Sequence, residues 1–303
     1  MLKHNPARIY LVIGGGRALF NALVFTINLI YQVQTVGLNP LQMVLVGTVL
    51  EVTVLLFEVP TGAVADVYSR RLSVLIGLAL VGCGYLLEGS IPLFWAVLGA
   101  QVLWGIGFTF LSGALQAWLA DEIGAEAAGP VYLRSAQVEL ITGLAGTGVS
   151  VWLARRWLQL PILVGGVMYI ALAAFMALIM PEKGFRPTPP EERETWKEMA
   201  ATAKAGMRAV RDHRALRIVV GLSLVTGLYS EGYDRLWTPH MLDNFRFPSL
   251  FGLEDALIWF GIIGVGATLT GIAANELARR GRATEVPART VNWLTILYGL
   301  LAA

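Results

Sequence analysis

The chain has 303 residues and 15% of them are charged, against about 25% in an ordinary soluble domain. Hydrophobic residues make up 56% and mean hydropathy is +0.63, so a soluble fold would have too little polar surface to show to water. A formal net charge of +2 gives no basic footprint for nucleic acid, and a single cysteine, Cys83, excludes an internal disulfide or a thiolate zinc site. Three histidines, His4, His213 and His240, are scattered, and no metal site or cofactor is expected. What remains is an all-α polytopic membrane protein.

Crossing a bilayer takes about 20 mostly apolar helical residues. Eight stretches qualify: 9–31, 43–65, 72–88, 91–118, 131–153, 158–180, 216–237 and 256–277. The first carries Arg17 at its centre and is too long for a signal-peptide core, so it reads as a span. The second holds Glu51 and Glu58 on one face and runs into a polar loop, Gly62 to Arg71. The fourth carries Trp104, Phe108 and Trp118; the fifth carries Glu139 and the glycines Gly143, Gly146 and Gly148.

Residues 182–215 interrupt the apolar pattern. Thr188 followed by Pro189, Pro190 and Glu191 reads as a helix start, and Trp196, Met199, Ala203, Met207 and Val210 recur at helical spacing. This linker reads either as an amphipathic helix at the membrane surface or as a solvated tether. It divides the chain into a six-helix bundle at 1–181 and the start of a second bundle at 216–303. A ninth apolar stretch starts near Val291 and reaches Ala303, too short to cross, so the chain is expected to be cut within a span: eight full spans and part of a ninth. Lys3, Arg8, Arg70, Arg71, Arg134, the linker cations, Arg279 and Arg280 fall on one side, with Arg155 and Arg156 the discordant pair. That bias puts the N-terminus in the cytoplasm, in a plasma-membrane protein expected to be a monomer.

The loop has a second copy. Gly62, Ala65, Asp66, Arg70 and Arg71 align without a gap on Gly271, Ala274, Asn275, Arg279 and Arg280. Internal symmetry of this kind marks a transporter built from repeats. The Gly62-x-x-x-Asp66-x-x-Ser69-Arg70-Arg71 loop resembles the one between spans two and three of the major facilitator superfamily, with Val67 and Ser69 departing from its pattern. The segments 57–62 and 112–122 are similar to its drug-efflux branches, while Val149 after Gly148 departs from the glycine-proline pair of the exporters' antiporter motif. The resemblance implies alternating access around a midplane site, with Asp66, Arg70 and Arg71 holding the inner gate.

Charges inside spans are functional candidates, because each costs several kcal/mol unless paired or hydrated. Arg17 and Glu139 each lie about 12 Å into their spans at the helical rise, and Asn21 and Asn28 extend the face of Arg17. The family fold implies that these two spans are neighbours, so an Arg17–Glu139 pair is expected, either as a proton switch or as a permanent structural pair. Glu231, Asp234 and Arg235 on the seventh span form an ion pair at the rim or supply a coupling carboxylate, and Ser230 and Tyr233 share a stripe suited to lining a cavity with Phe108. The leading expectation is proton-coupled efflux of a small hydrophobic or amphipathic compound. The alternatives are proton-coupled uptake of a polar metabolite and a non-transporting membrane sensor. No motif of an enzyme is present in the chain.

Overall fold

The computed structural model describes residues 5–187, 196–248 and 256–280. Among them the secondary structure is entirely helical. The order is α1 (Pro6–Phe25), α2 (Asn28–Gln34), α3 (Pro40–Val67), α4 (Arg70–Ser90), α5 (Phe94–Leu111), α6 (Ala114–Ile123), α7 (Ala125–Ala154), α8 (Leu160–Ile179), α9 (Trp196–Asp212), α10 (Arg214–Asn244) and α11 (Ala256–Arg280).

Local chemistry sets the starts. Asn5 caps α1, accepting from Arg8 N at 3.2 Å, with Pro6 at the first helical position. Asn39 and Gln42 form a reciprocal capping box on α3 at 2.9 and 3.0 Å. Ser69 caps α4, its Oγ accepting from Leu72 N at 2.9 Å. Gly113, at φ 72°, separates α5 from α6, and Gly124, at φ 88°, separates α6 from α7, a left-handed backbone that a side chain would strain.

Five helical stretches among the described residues are long and apolar enough to cross a membrane: Pro6–Gln34, Pro40–Val67, Arg70–Ser90, Phe94–Ile123 and Leu160–Ile179. The first and fourth expected spans are each broken, at Thr26–Ile27 and at Ser112–Gly113. The fifth begins earlier than its apolar run, at Ala125, and its Arg134 and Glu139 lower its hydropathy. Within α11, Ala256–Thr270 is apolar, and the side chains beyond it lie outside the described residues. Residues 196–212, inside the segment expected to be a linker, form α9, whereas the helix start expected at Thr188 lies outside the described residues.

The main packing is of α1 on α7, and of α4 on both α5 and α8. Small residues allow it. A Cβ on Gly77 of α4 would stand 2.7 Å from Gly107 O of α5, and one on Gly107 would stand 2.9 Å from Gly77 O. Gly82 and Gly166 make the same exchange between α4 and α8, at 2.8 and 2.9 Å. Gly146 of α7 abuts Leu19 O of α1, while Gly143 and Gly148 have no neighbour within 4 Å among the described residues. The interior is built on Ile9, Ile13, Leu23, Leu78, Trp118 and Tyr169. Large apolar side chains also face outward, including Leu55, Trp95, Leu133 and Leu178, each more than 70% exposed. Such a surface suits lipid rather than water.

Candidate functional site: a polar cavity between α1 and α7

The packing of α1 on α7 turns the polar face of the first span toward Glu139. A cavity of about 470 Å³ is lined by Tyr10, Gly14, Arg17 and Asn21 from α1, Gln116 from α6, and Tyr132, Ser135 and Glu139 from α7. A second cavity, of about 530 Å³, continues from Glu139 past Gly143 and Thr147 to Thr268 of α11. Glu139 borders both.

The expected Arg17–Glu139 ion pair is not formed. Glu139 Oε1 instead accepts from Ser135 Oγ at 2.6 Å, the residue one turn before it on the same helix face. Arg17 Nε is buried and has no hydrogen-bond partner. One cavity therefore holds a guanidinium with unused donor capacity and a carboxylate whose partner is neutral. Asn21 is fixed more firmly: its Oδ1 accepts from Tyr169 Oη at 2.7 Å and from Tyr85 Oη at 2.9 Å. Tyr85 Oη in turn accepts from Trp104 Nε1 at 2.7 Å. This chain ties α1, α4, α5 and α8 together beside the cavity and occupies the polar tips of all three aromatics.

The other candidates fall in three places. Glu51 and Glu58 are exposed on α3 with Leu55 between them, a face that no described residue covers. Gly62 has nothing within 4 Å among the described residues. Asn28 is buried at the start of α2, away from the cavity walls. Phe108 stacks on Trp104 at 5.5 Å and 15° and is partly exposed. On α10, Glu231 pairs with Arg235 at 3.0 Å, Asp234 and Tyr233 are exposed, and Ser230 Oγ donates to Gly227 O at 3.1 Å.

The loop after α3 is a network of charges. Arg70 lies 3.6 Å from Asp66 and 3.1 Å from Asp121 of α6. Glu182 accepts from Ser69 Oγ at 2.7 Å and from Arg71 N at 2.9 Å, and the Arg71 guanidinium donates to Ala177 O at 2.5 Å. Glu122 accepts from Lys183 N and Gly184 N at 2.5 and 2.7 Å. The sequence reading assigned no role to Asp121, Glu122 or Glu182. The one signal for them in the sequence is their clustering at span ends. In the second copy, Gly271, Asn275, Arg279 and Arg280 lie in α11, which continues unbroken to Arg280; their side chains lie outside the described residues.

At the opposite end of the bundle α10 packs on α3 and α2, and α11 packs on α7. The Glu231–Arg235 pair sits over Gly47 of α3, where an added Cβ would strike the Glu231 carboxylate. Gly261 of α11 abuts Val151 of α7. The two parts thus touch away from the Asp66–Arg71 loop, and α10 is exposed from Arg214 through Ser223 on the loop side.

A helical bundle with lipid-suited outer faces, charged loops and a polar cavity between α1 and α7 has the architecture of a polytopic membrane protein. Residues 9–303 match the model of the Major Facilitator Superfamily, and the chain belongs to that family of transporters. It is 21% identical over 203 residues to the uncharacterized MFS-type transporter YxaM of Bacillus subtilis (strain 168), a match covering 67% of this chain and 51% of that protein. The chain thus spans about half the length of this curated relative. Its fold is similar to crystal structures of the nucleoside transporter NupG, with TM-scores of 0.73 for a point mutant and 0.69 for the unmutated protein. Each is 13% identical and is matched over 91% of this chain and 69% or 68% of its own.

Proposed function

We propose that the protein is a secondary active transporter that moves a small polar solute bearing an anionic group, coupled to protons, by alternating access around the Arg17 cavity. The observation that carries this reading is that Arg17 lines the same cavity as Glu139 without an ion pair to it, and that its buried Nε has no hydrogen-bond partner. Arg17 receives the anionic group of the solute. Glu139 as a carboxylate would compete for Arg17 and repel that group; protonated, it becomes a neutral donor and the site accepts an anion. Tyr10, Tyr132, Asn21 and Gln116 supply further hydrogen bonds. This favours a polar metabolite over the hydrophobic compound first expected, because the cavity is lined by Arg17, Glu139, Asn21, Gln116 and two tyrosines, while Trp104 and Trp118 lie outside its walls. Trp104 Nε1 donates to Tyr85, and Trp118 is buried with its Nε1 on Pro181 O at 2.7 Å.

We further infer a monomer in the plasma membrane with the N-terminus cytoplasmic, a first bundle at 1–181, a linker at 182–215 and a second bundle from 216. The basic residues of the Asp66–Arg71 side support this orientation. With contacts concentrated at the other end, the cavity faces the cytoplasm in this conformation. A reporter active only outside the cytoplasm, fused after Pro187, is then silent, and activity there overturns the orientation. For transport, vesicles with an imposed pH gradient are offered small organic anions and apolar dyes. Uptake or counterflow of an anion, lost in Arg17→Gln, is expected. Movement of apolar dyes alone, indifferent to Arg17, overturns the reading.

A further inference from the structure

A second buried carboxylate stands apart from the cavity. Glu88, in the last turn of α4, is 1% exposed. Its Oε1 accepts from Gln32 Nε2 of α2 at 2.7 Å, and its Oε2 from Gln101 Nε2 of α5 at 3.4 Å. Tyr31 Oη donates to its backbone oxygen at 2.8 Å. Gln32 and Gln101 are buried with it, at 0% and 6% exposure. A carboxylate buried to this degree on neutral amides is costly as an anion, and no cation of its own bundle pairs with it among the described residues.

The ionisable groups around it are few. Tyr31 comes from α2 and Tyr85 from α4 itself; α5 carries none. From α8 there is only Tyr169. The acids of α3, Glu51, Glu58 and Asp66, are exposed, and those of α6, Asp121 and Glu122, sit at the loop end. The cation packed against this end of the first bundle is Arg235 of α10, which is bound to Glu231 over Gly47 of α3, while α10 also packs on α2, the helix that carries Gln32. Gln32 adds a second sign: its Oε1 is buried and has no donor. A carboxylic acid at Glu88 would offer one. Its O–H donates to Gln32 Oε1 while its other oxygen still accepts Nε2–H, so amide and carboxyl pair face to face and the orphaned acceptor is satisfied.

We propose that Glu88 is a proton-binding site, and that the proton taken there weakens the hold on Arg235 and frees α10 from α3. As an anion, Glu88 attracts Arg235 across the contact between the two parts. Neutral, it leaves Glu231 and Arg235 as a self-compensated pair on one helix, with no net pull on the first bundle. The contact that closes this end of the molecule then opens with proton uptake. The proposal gives the transport reading a second protonation site, distinct from Glu139, and its test needs no substrate.

In a Cys83→Ser background, spin labels at positions 41 and 240 report the separation of α3 and α10 in reconstituted protein, because Leu41 and His240 are exposed near the ends of those helices. Infrared difference spectra follow carboxyl groups in the same samples. On acidification the unsubstituted background gains a carboxyl carbonyl band and the label distance lengthens. In Glu88→Gln that band is missing and the distance is long at every pH. Arg235→Leu keeps the band and loses the pH-dependent change in distance. An unchanged band in Glu88→Gln, or a distance that still follows pH in either variant, overturns the proposal. A distance that follows sodium at constant pH and is abolished by Glu88→Gln also overturns it, in favour of a metal-cation site. A failure of the anion-transport assay with these results intact refutes the substrate reading alone.

Discussion

Replacing Arg17 by Gln separates a substrate-binding cation from a structural one, because the two roles give opposite signs in stability. Arg17 Nε is buried without a partner, and a buried donor left unsatisfied costs about 1–3 kcal/mol. Glutamine removes both that donor and a charge held in a low-dielectric cavity. The loss of the aliphatic stem's packing offsets part of the gain. The melting midpoint of the detergent-solubilised protein should therefore stay level or rise. Transport should move the other way. A hydrogen bond from a charged group is worth about 1.5–3 kcal/mol, so the half-saturating concentration of an anionic solute should rise by roughly 10- to 150-fold, at tenfold per 1.4 kcal/mol. Arg17→Lys keeps the charge but not the planar fork, and should fall between. Scintillation-based binding and thermal unfolding on the same preparations check both halves. A variant that binds normally but unfolds earlier by several kcal/mol would show that Arg17 holds the bundle together and is not a solute site.

Three further outcomes follow from the geometry. Glu139→Gln mimics the protonated acid and should leave solute binding in place while abolishing the pH dependence of binding affinity; equilibrium binding of the anion that still tracks protons across a pH series would assign the solute-linked proton elsewhere. Asp66→Asn should reduce transport while changing stability by less than about 1 kcal/mol, since Asp66 is 59% exposed and its Arg70 contact is screened; equal transport at equal membrane abundance would leave the loop a topology signal only. Gly107→Val places a side chain 2.9 Å from Gly77 O and 2.8 Å from Val81 N, both backbone atoms that give way only if the helices separate. A loss of about 1–3 kcal/mol is expected from overpacking, read as an earlier aggregation temperature in fluorescence-detected gel filtration.

Low charge and high hydropathy are summed along the chain, and they were enough to mark a membrane bundle and the charged segment around α9. The caps at Asn5, Asn39 and Ser69 and the breaks at Gly113 and Gly124 are likewise local chemistry, legible within a few residues. The charged loop showed as a pattern, yet its acidic half did not, because Asp121 and Glu182 meet Arg70 and Arg71 only after α6 and the end of α8 have been folded alongside. The acids show the limit most clearly. In sequence Glu51, Glu58 and Glu88 are alike, each a carboxylate in or beside an apolar run. Close approach of α4 to α5 and α8, through glycines far apart along the chain, turns Glu88 inward to 1% exposure and leaves the two acids of α3 uncovered by any described residue. Hydropathy measures only how apolar a segment is, and so it decides that a helix crosses. Which face of that helix meets protein depends on packing between distant segments, and only the tertiary structure decides it.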